Sequence, residues 1–126
     1  MGVLTIASVR LPAEPRSVPR ARELAAGVAA DLPMRIREAV ELVTSELATN
    51  CVTHAGTPFE VFVARDDDSV EVVLSDSGPW THRPQGRATG HGLLLVGLLA
   101  SSWSAQVVEG GKRVSARLQL DDVPTY

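Results

Sequence analysis

The stretch Arg113-Val-Ser-Ala-Arg-Leu-Gln-Leu120 alternates without a break. Val114, Ala116, Leu118 and Leu120 fall on one side of an extended chain, and Arg113, Ser115, Arg117 and Gln119 on the other. A strand written this way has one dry face and one wet face. It excludes an all-parallel sheet buried on both sides and requires an antiparallel or mixed sheet with helices over the apolar face.

The rest of the chain supplies the partners. Residues 3–11 are β-branched and apolar before Pro12 and read as a strand. The Pro-rich run from Leu11 to Pro19 is a connector. Ser17 is placed to cap a helix with Pro19 in its first turn, running to about Asp31. Pro33 separates it from the strongest helical pattern, Met34 to His54, which Gly56 and Thr57-Pro58 stop. Phe59–Ala64 and Val70–Ser75 are strands joined by the polar turn Arg65-Asp-Asp-Asp-Ser69. An unpatterned loop runs from Asp76 to about Thr89, and Leu93–Ser101 is a short, largely buried helix. Trp103–Val108 and Arg113–Leu120 form a second hairpin across Glu109-Gly-Gly-Lys112. The order βααββαββ is that of an α/β (α+β) two-layer sandwich. Its sheet is mixed and mostly antiparallel, of about five strands, with three helices on one face.

At 126 residues the chain is expected to form one domain, residues 1–126, burying roughly two thirds of its unfolded surface without staples. Twelve Lys+Arg, with Lys112 the single lysine, stand against fifteen Asp+Glu for a net charge of −3. That balance disfavours direct binding to nucleic acid. Cys51 is the only cysteine, so no internal disulfide forms and a reducing compartment is expected. Arg10 cuts short the N-terminal apolar run, and no basic start precedes it, so no signal peptide is read there. The longest apolar stretch, Gly92–Ala100, is half of what a membrane span needs. The expectation is a cytoplasmic domain that does not engage membrane.

Three places carry chemistry. On the long helix, at about 100° per residue, Val40, Val43, Leu47 and Cys51 cluster with Ile36, and Ala39 and Leu42 widen the apolar arc. Glu46 and Asn50 fall inside that arc, one turn apart. They are either core polar groups satisfied by neighbouring backbone or a base and a metal ligand, since an Asn oxygen can join phosphate oxygens around Mg²⁺. The helix alone does not decide. Asp76 ends a strand as Asp76-Ser-Gly78, which is either an Asx turn or a carboxylate for an exocyclic amine, with Gly78 admitting a flat ring. Gly90-His91-Gly92-Leu93 opens the Leu-rich helix, where backbone N–H groups can face an anion. The Rossmann and phosphate-loop patterns are both absent. Cys51, His54, His82 and His91 lack zinc-site spacing, and His54 near a helix end is better placed to cap carbonyls than to accept phosphate.

The combination resembles the ATP-binding (Bergerat) fold of the GHKL superfamily, which covers gyrase, Hsp-type chaperone, histidine-kinase and mismatch-repair ATPases. ELVTSELATNCVTHAG is similar to its N box, DSGPW to its first glycine box and GHGLLLVGLLASSW to its second. Length and the ending WSAQVVEGGKRVSARLQL most resemble the anti-sigma-factor serine/threonine kinase branch, particularly the single-domain forms abundant in actinomycetes. The resemblance covers about Ala13 to Leu120. It implies ATP and Mg²⁺ as cofactors, Asn50 as the Mg²⁺ ligand and Glu46 as the catalytic base. It also implies Asp76 and Gly78 at adenine, Gly90, His91, Gly92 and Leu93 on the phosphate side, and Trp80–Thr89 as the lid. The implied partners are a sigma factor, which the protein sequesters, and an antagonist protein, which it phosphorylates on serine; a homodimer is also implied.

The chain departs from the family pattern at several points. Trp80 follows Pro79 where the first glycine box has a second Gly, and the lid is short. His91 stands where Arg or Lys is common, and Arg113 where a Thr near adenine is common, with Ser115 two residues on. These departures keep open a nucleotide-gated, or nucleotide-free, protein-binding regulator without kinase turnover. A histidine-kinase catalytic fragment is disfavoured because the chain has no room for a dimerisation hairpin.

Overall fold

The computed structural model describes residues 4–77, 96–108 and 110–121. Strand β1 (Thr5–Leu11) leads to helices α1 (Ser17–Val28) and α2 (Met34–Asn50), and α2 runs on into a π-helical turn, Cys51–Ala55. Strands β2 (Phe59–Arg65), β3 (Ser69–Asp76), β4 (Ser102–Val108) and β5 (Gly111–Gln119) follow, and residues 96–99 are helical. The sheet order is β1-β2-β3-β5-β4, and all four ladders are antiparallel. The sheet is therefore antiparallel throughout the described residues, where a mixed one was allowed.

The two-sided pattern of β5 holds. Val114, Ala116 and Leu118 are buried, whereas Arg113 and Arg117 are exposed. Register carries the dry face across the sheet: Leu74 pairs with both Val61 and Val114, and Val72 with both Val63 and Ala116. These side chains meet Ile36, Val40, Val43 and Leu47 of α2, with Ala21, Ala25 and Val28 of α1 beside them. Each fully buried Val, Leu or Phe contributes about 1.5–3 kcal/mol over leaving it exposed, so the central β2–β3–β5 strands hold the sheet. Val96 and Leu99 join the same core, which agrees with the expected third helix. The opposite face is polar, with Ser104 and Ser115 hydroxyls 3.1 Å apart and Arg117 donating to Ser69 Oγ at 3.0 Å.

Two local expectations change. Ser17 is the first helical residue of α1, and Arg16 occupies the cap position. The Ser17 hydroxyl donates to the Pro12 carbonyl at 2.6 Å, because the Pro-rich connector folds back and presents that carbonyl beneath it. The helix also stops at Val28, short of Asp31, in a turn where Leu32 N–H bonds the Ala29 carbonyl. The second change is at the end of the long helix. It reaches Ala55 as expected, but from Cys51 onward its bonds widen to the i→i+5 pattern before Gly56 closes it at φ +67°.

Candidate functional site

Alternation along β3 places Val70, Val72 and Leu74 on the core face, and the next inward residue is Asp76, at the strand's end. Its side chain is buried among groups that apolar packing alone would not gather. In the sheet it lies between Phe59, at the start of β2, and Lys112, the first inward residue of β5. Above it is Cys51, which opens the π turn and feels the Asp76 charge directly. Asp76 is 8% exposed and Lys112 only 3%, so opposite charges are buried side by side.

The electrostatics follow from that burial. Desolvation pushes the Lys112 ammonium below the ordinary lysine range, and the neighbouring Asp76 carboxylate opposes that shift. The Cys51 thiol is pushed up to about 12, first by burial and then by the Asp76 charge. At physiological pH it is a neutral thiol packed in the core.

Backbone packing fixes the spacing. A Cβ on Gly111 would come within 1.8 Å of the Asp76 carbonyl oxygen and 2.7 Å of Ser77 Cα. Only glycine lets the start of β5 cross the end of β3 this closely. Lys112 and Asp76 are thereby locked side by side.

Asn50 is the last α-helical residue before the π turn and is 6% exposed, and its amide nitrogen Nδ2 is buried without a hydrogen-bond partner. Thr44, equally buried on the same helix, shows the ordinary solution: its hydroxyl donates to the Val40 carbonyl at 2.7 Å. Asn50 has nothing equivalent for Nδ2. A buried amide left this way costs about 1–3 kcal/mol, a cost expected where a ligand completes the bonding.

Glu46 sits one turn earlier and is half-buried. It does not join the Asp76 group. Instead it opens, with Glu38, Glu41, Leu42, Ser45 and Arg22, onto a groove of about 570 Å³ between α1 and α2. Gly78, Gly90, His91, Gly92, Leu93 and the lid Trp80–Thr89 lie outside the described residues.

Residues 11–118 match the family of the histidine kinase-like ATPase domain. This chain belongs to that family. Comparison with individual curated proteins gives no match. A GHKL-type ATPase domain is an ATP-binding unit, usually with Mg²⁺. The residues present fit that pair of ligands. Asp76 offers a buried acceptor for an amine. A half-turn of the Asn50 amide presents Oδ1 where the unpaired nitrogen stands, an oxygen donor of the kind Mg²⁺ takes alongside phosphate oxygens. Among the described residues no cluster of three or more His, Cys, Asp or Glu could hold a metal.

The structure adds two positions. Arg113, which stands where a Thr near adenine is common in the family, and Ser115 keep the outward register expected of them on β5, and Lys112 takes the inward place. Lys112 was legible by counting back two residues from Val114, beyond the expected strand start at Arg113. Gly111 was visible only as part of a turn, because its role depends on a backbone crossing from another strand. No helix among the described residues is long and apolar enough to cross a membrane.

Proposed function

We propose that this domain is an ATP-binding anti-sigma regulator with protein serine/threonine kinase activity. In this reading the ATP-loaded form sequesters a sigma factor, and the protein phosphorylates a serine of an antagonist. The observation that carries the ATP half is the unpaired buried amide of Asn50 at the helix end that overlies Asp76. The anti-sigma half rests on the motif resemblance and has the partners as its content.

In this reading Asp76 accepts a hydrogen bond from the adenine amine, and Asn50 Oδ1 would hold Mg²⁺. The metal supplies neutralisation of the charge that develops on the phosphate oxygens. Glu46 accepts the proton of the attacking serine hydroxyl while the serine O–P bond forms and the β–γ P–O bond breaks, releasing ADP. The groove that Glu46 lines is then the approach for the phosphoacceptor. Gly78 at the base, and Gly90, His91, Gly92 and Leu93 at the phosphates, complete the site by resemblance.

A second reading, nucleotide-gated partner binding without turnover, draws support from Glu46. It opens onto residues of α1 and α2 that are separate from the Asp76 group. Calorimetric titration of ATP with and without Mg²⁺ tests the shared part. Affinity should depend on Mg²⁺ and fall about a hundredfold in Asp76→Asn, which loses a charged acceptor. Heat equal to that of the parent in Asp76→Asn would remove Asp76 from the site. Glu46→Ala separates the two readings: it should bind Mg²⁺-ATP like the parent and lose phosphotransfer to the antagonist. A parent that binds ATP tightly and transfers nothing leaves the gating reading.

A further inference from the structure

We propose that Lys112 is a second base-reading residue, donating a hydrogen bond from its ammonium to a ring nitrogen of adenine beside the amine that Asp76 accepts. The proposal rests on the ATP reading of this site and adds to it a specificity determinant.

The argument begins with register. Asp76 and Lys112 are cross-strand partners on the core face, so their Cβ atoms stand about 4.5–5.5 Å apart. Gly111, having no Cβ, lets the two strands approach closely at this point, where any Cβ would strike the Asp76 carbonyl. Any flat ring that places an amine on Asp76 therefore lies next to Lys112 as well.

The chemistry of the base does the rest. In adenine the exocyclic amine is flanked on both sides by ring nitrogens, N1 and N7, and both are acceptors. A donor adjacent to the carboxylate that reads the amine meets an acceptor whichever way the ring is turned. The ammonium has three donors, and one can remain on Asp76 while another reaches the ring. The carboxylate, with room for about four hydrogen bonds, can hold Lys112 and the amine together. Guanine in the same pose sets its carbonyl against the Asp76 carboxylate, and an N–H against Lys112 if the N1 side faces it. The pair therefore presents an acceptor next to a donor, the complement of adenine's donor next to an acceptor.

Burial sets what such a lysine costs. A desolvated ammonium is costly, and an apolar residue would pack the same space more cheaply. Lys112 is the chain's single lysine and stands at this buried position.

The test uses the intact protein and three nucleotides, ATP, 1-deaza-ATP and 7-deaza-ATP, titrated with Mg²⁺. One of the two deaza analogues should bind the parent at least about tenfold more weakly than ATP, the loss of one charge-assisted hydrogen bond. That penalty should persist in Lys112→Gln, which keeps an N–H donor, and vanish in Lys112→Met. Both analogues binding the parent as tightly as ATP would overturn the role of Lys112 while leaving the ATP site intact. A penalty that persists unchanged in Lys112→Met would overturn it too, by assigning the contact elsewhere. Should Lys112→Met not fold, Lys112→Leu takes its place in the same comparison. Absence of any ATP binding by the folded parent would overturn the ATP reading and this inference with it.

Discussion

Strand β3 has an aspartate at each end, and the two do opposite things. Asp66, in the hairpin before the strand, is half-buried, and its Oδ1 accepts from the backbone N–H of Asp68 at 2.8 Å and of Ser69 at 2.9 Å. Every group it needs lies within three residues. Asp76, eleven residues from the N-terminal start of that turn at Arg65, is buried and meets groups from α2's end and from β5. Asp66 shapes the chain, and its neighbours satisfy it. Asp76 costs stability where it sits, since a buried charge is tolerated only through partners brought from elsewhere. An aspartate at a strand end is uninformative by itself; what separates a turn from a site is whether its partners are local.

The sharpest way to break the contrast is at Gly111. In Gly111→Ala the new methyl meets backbone atoms of Asp76 and Ser77, which cannot rotate away. The expected loss is about 3 kcal/mol or more, from parting of the β3 and β5 ends, seen as a lowered midpoint in urea. ATP affinity should fall with it, because Lys112 and Asp76 separate. Gly110→Ala, at φ +78° in the hairpin with open space around it, should cost less, about 1 kcal/mol, and leave ATP affinity unchanged. Equal effects of the two would mean that the crossing at Asp76 is not tight.

Asn50 sharpens the same contrast with a change expected in one measurement and not in the other. Removing its unpaired amide should not destabilise the nucleotide-free protein as a satisfied buried amide would; Asn50→Ala is expected within about 1 kcal/mol of the parent in urea. The same variant should lose the Mg²⁺-dependent part of ATP affinity. Normal Mg²⁺-ATP affinity would remove Asn50 as the metal ligand. A large stability loss would mean that the amide is satisfied in the folded protein.

The alternation of β5 and the hydrophobic arc of α2 made the architecture legible, because periodicity in apolar residues is what packing enforces. Val114, Ala116 and Leu118 could be placed without knowing any other strand. The same logic put Asp76 at a strand end and Asn50 in the apolar arc. It did not reach Lys112, since the alternation reads clearly only from Arg113, two residues after β5 begins, and an inward lysine runs against the pattern. Gly111 and the π turn were less accessible still. A close backbone crossing depends on two strands at once, and an i→i+5 turn has no composition of its own: Cys51-Val-Thr-His-Ala55 continues an α-helical pattern without interruption. Ser17 failed for a related reason. The same hydroxyl serves as a cap or bonds an upstream carbonyl according to how Pro12 and Pro15 bend the connector.

The smallest predicted effect separates the two aspartates by pH. The Asp66 carboxyl is held below its ordinary range, first by the Asp68 N–H, then by the Ser69 N–H. A carboxylate depressed in the folded state stabilises the fold above its unfolded pKa, and that contribution fades as pH falls through the folded value. Asp66→Ala should therefore be less stable than the parent at pH 7, with the gap narrowing as the pH drops below about 4. In the ATP titration the same variant should match the parent, because its hydrogen bonds stay within its own turn. Weaker ATP binding by Asp66→Ala at full folding would mean that the hairpin end of β3 communicates with the Asp76 end, and that one strand does not keep its two aspartates separate.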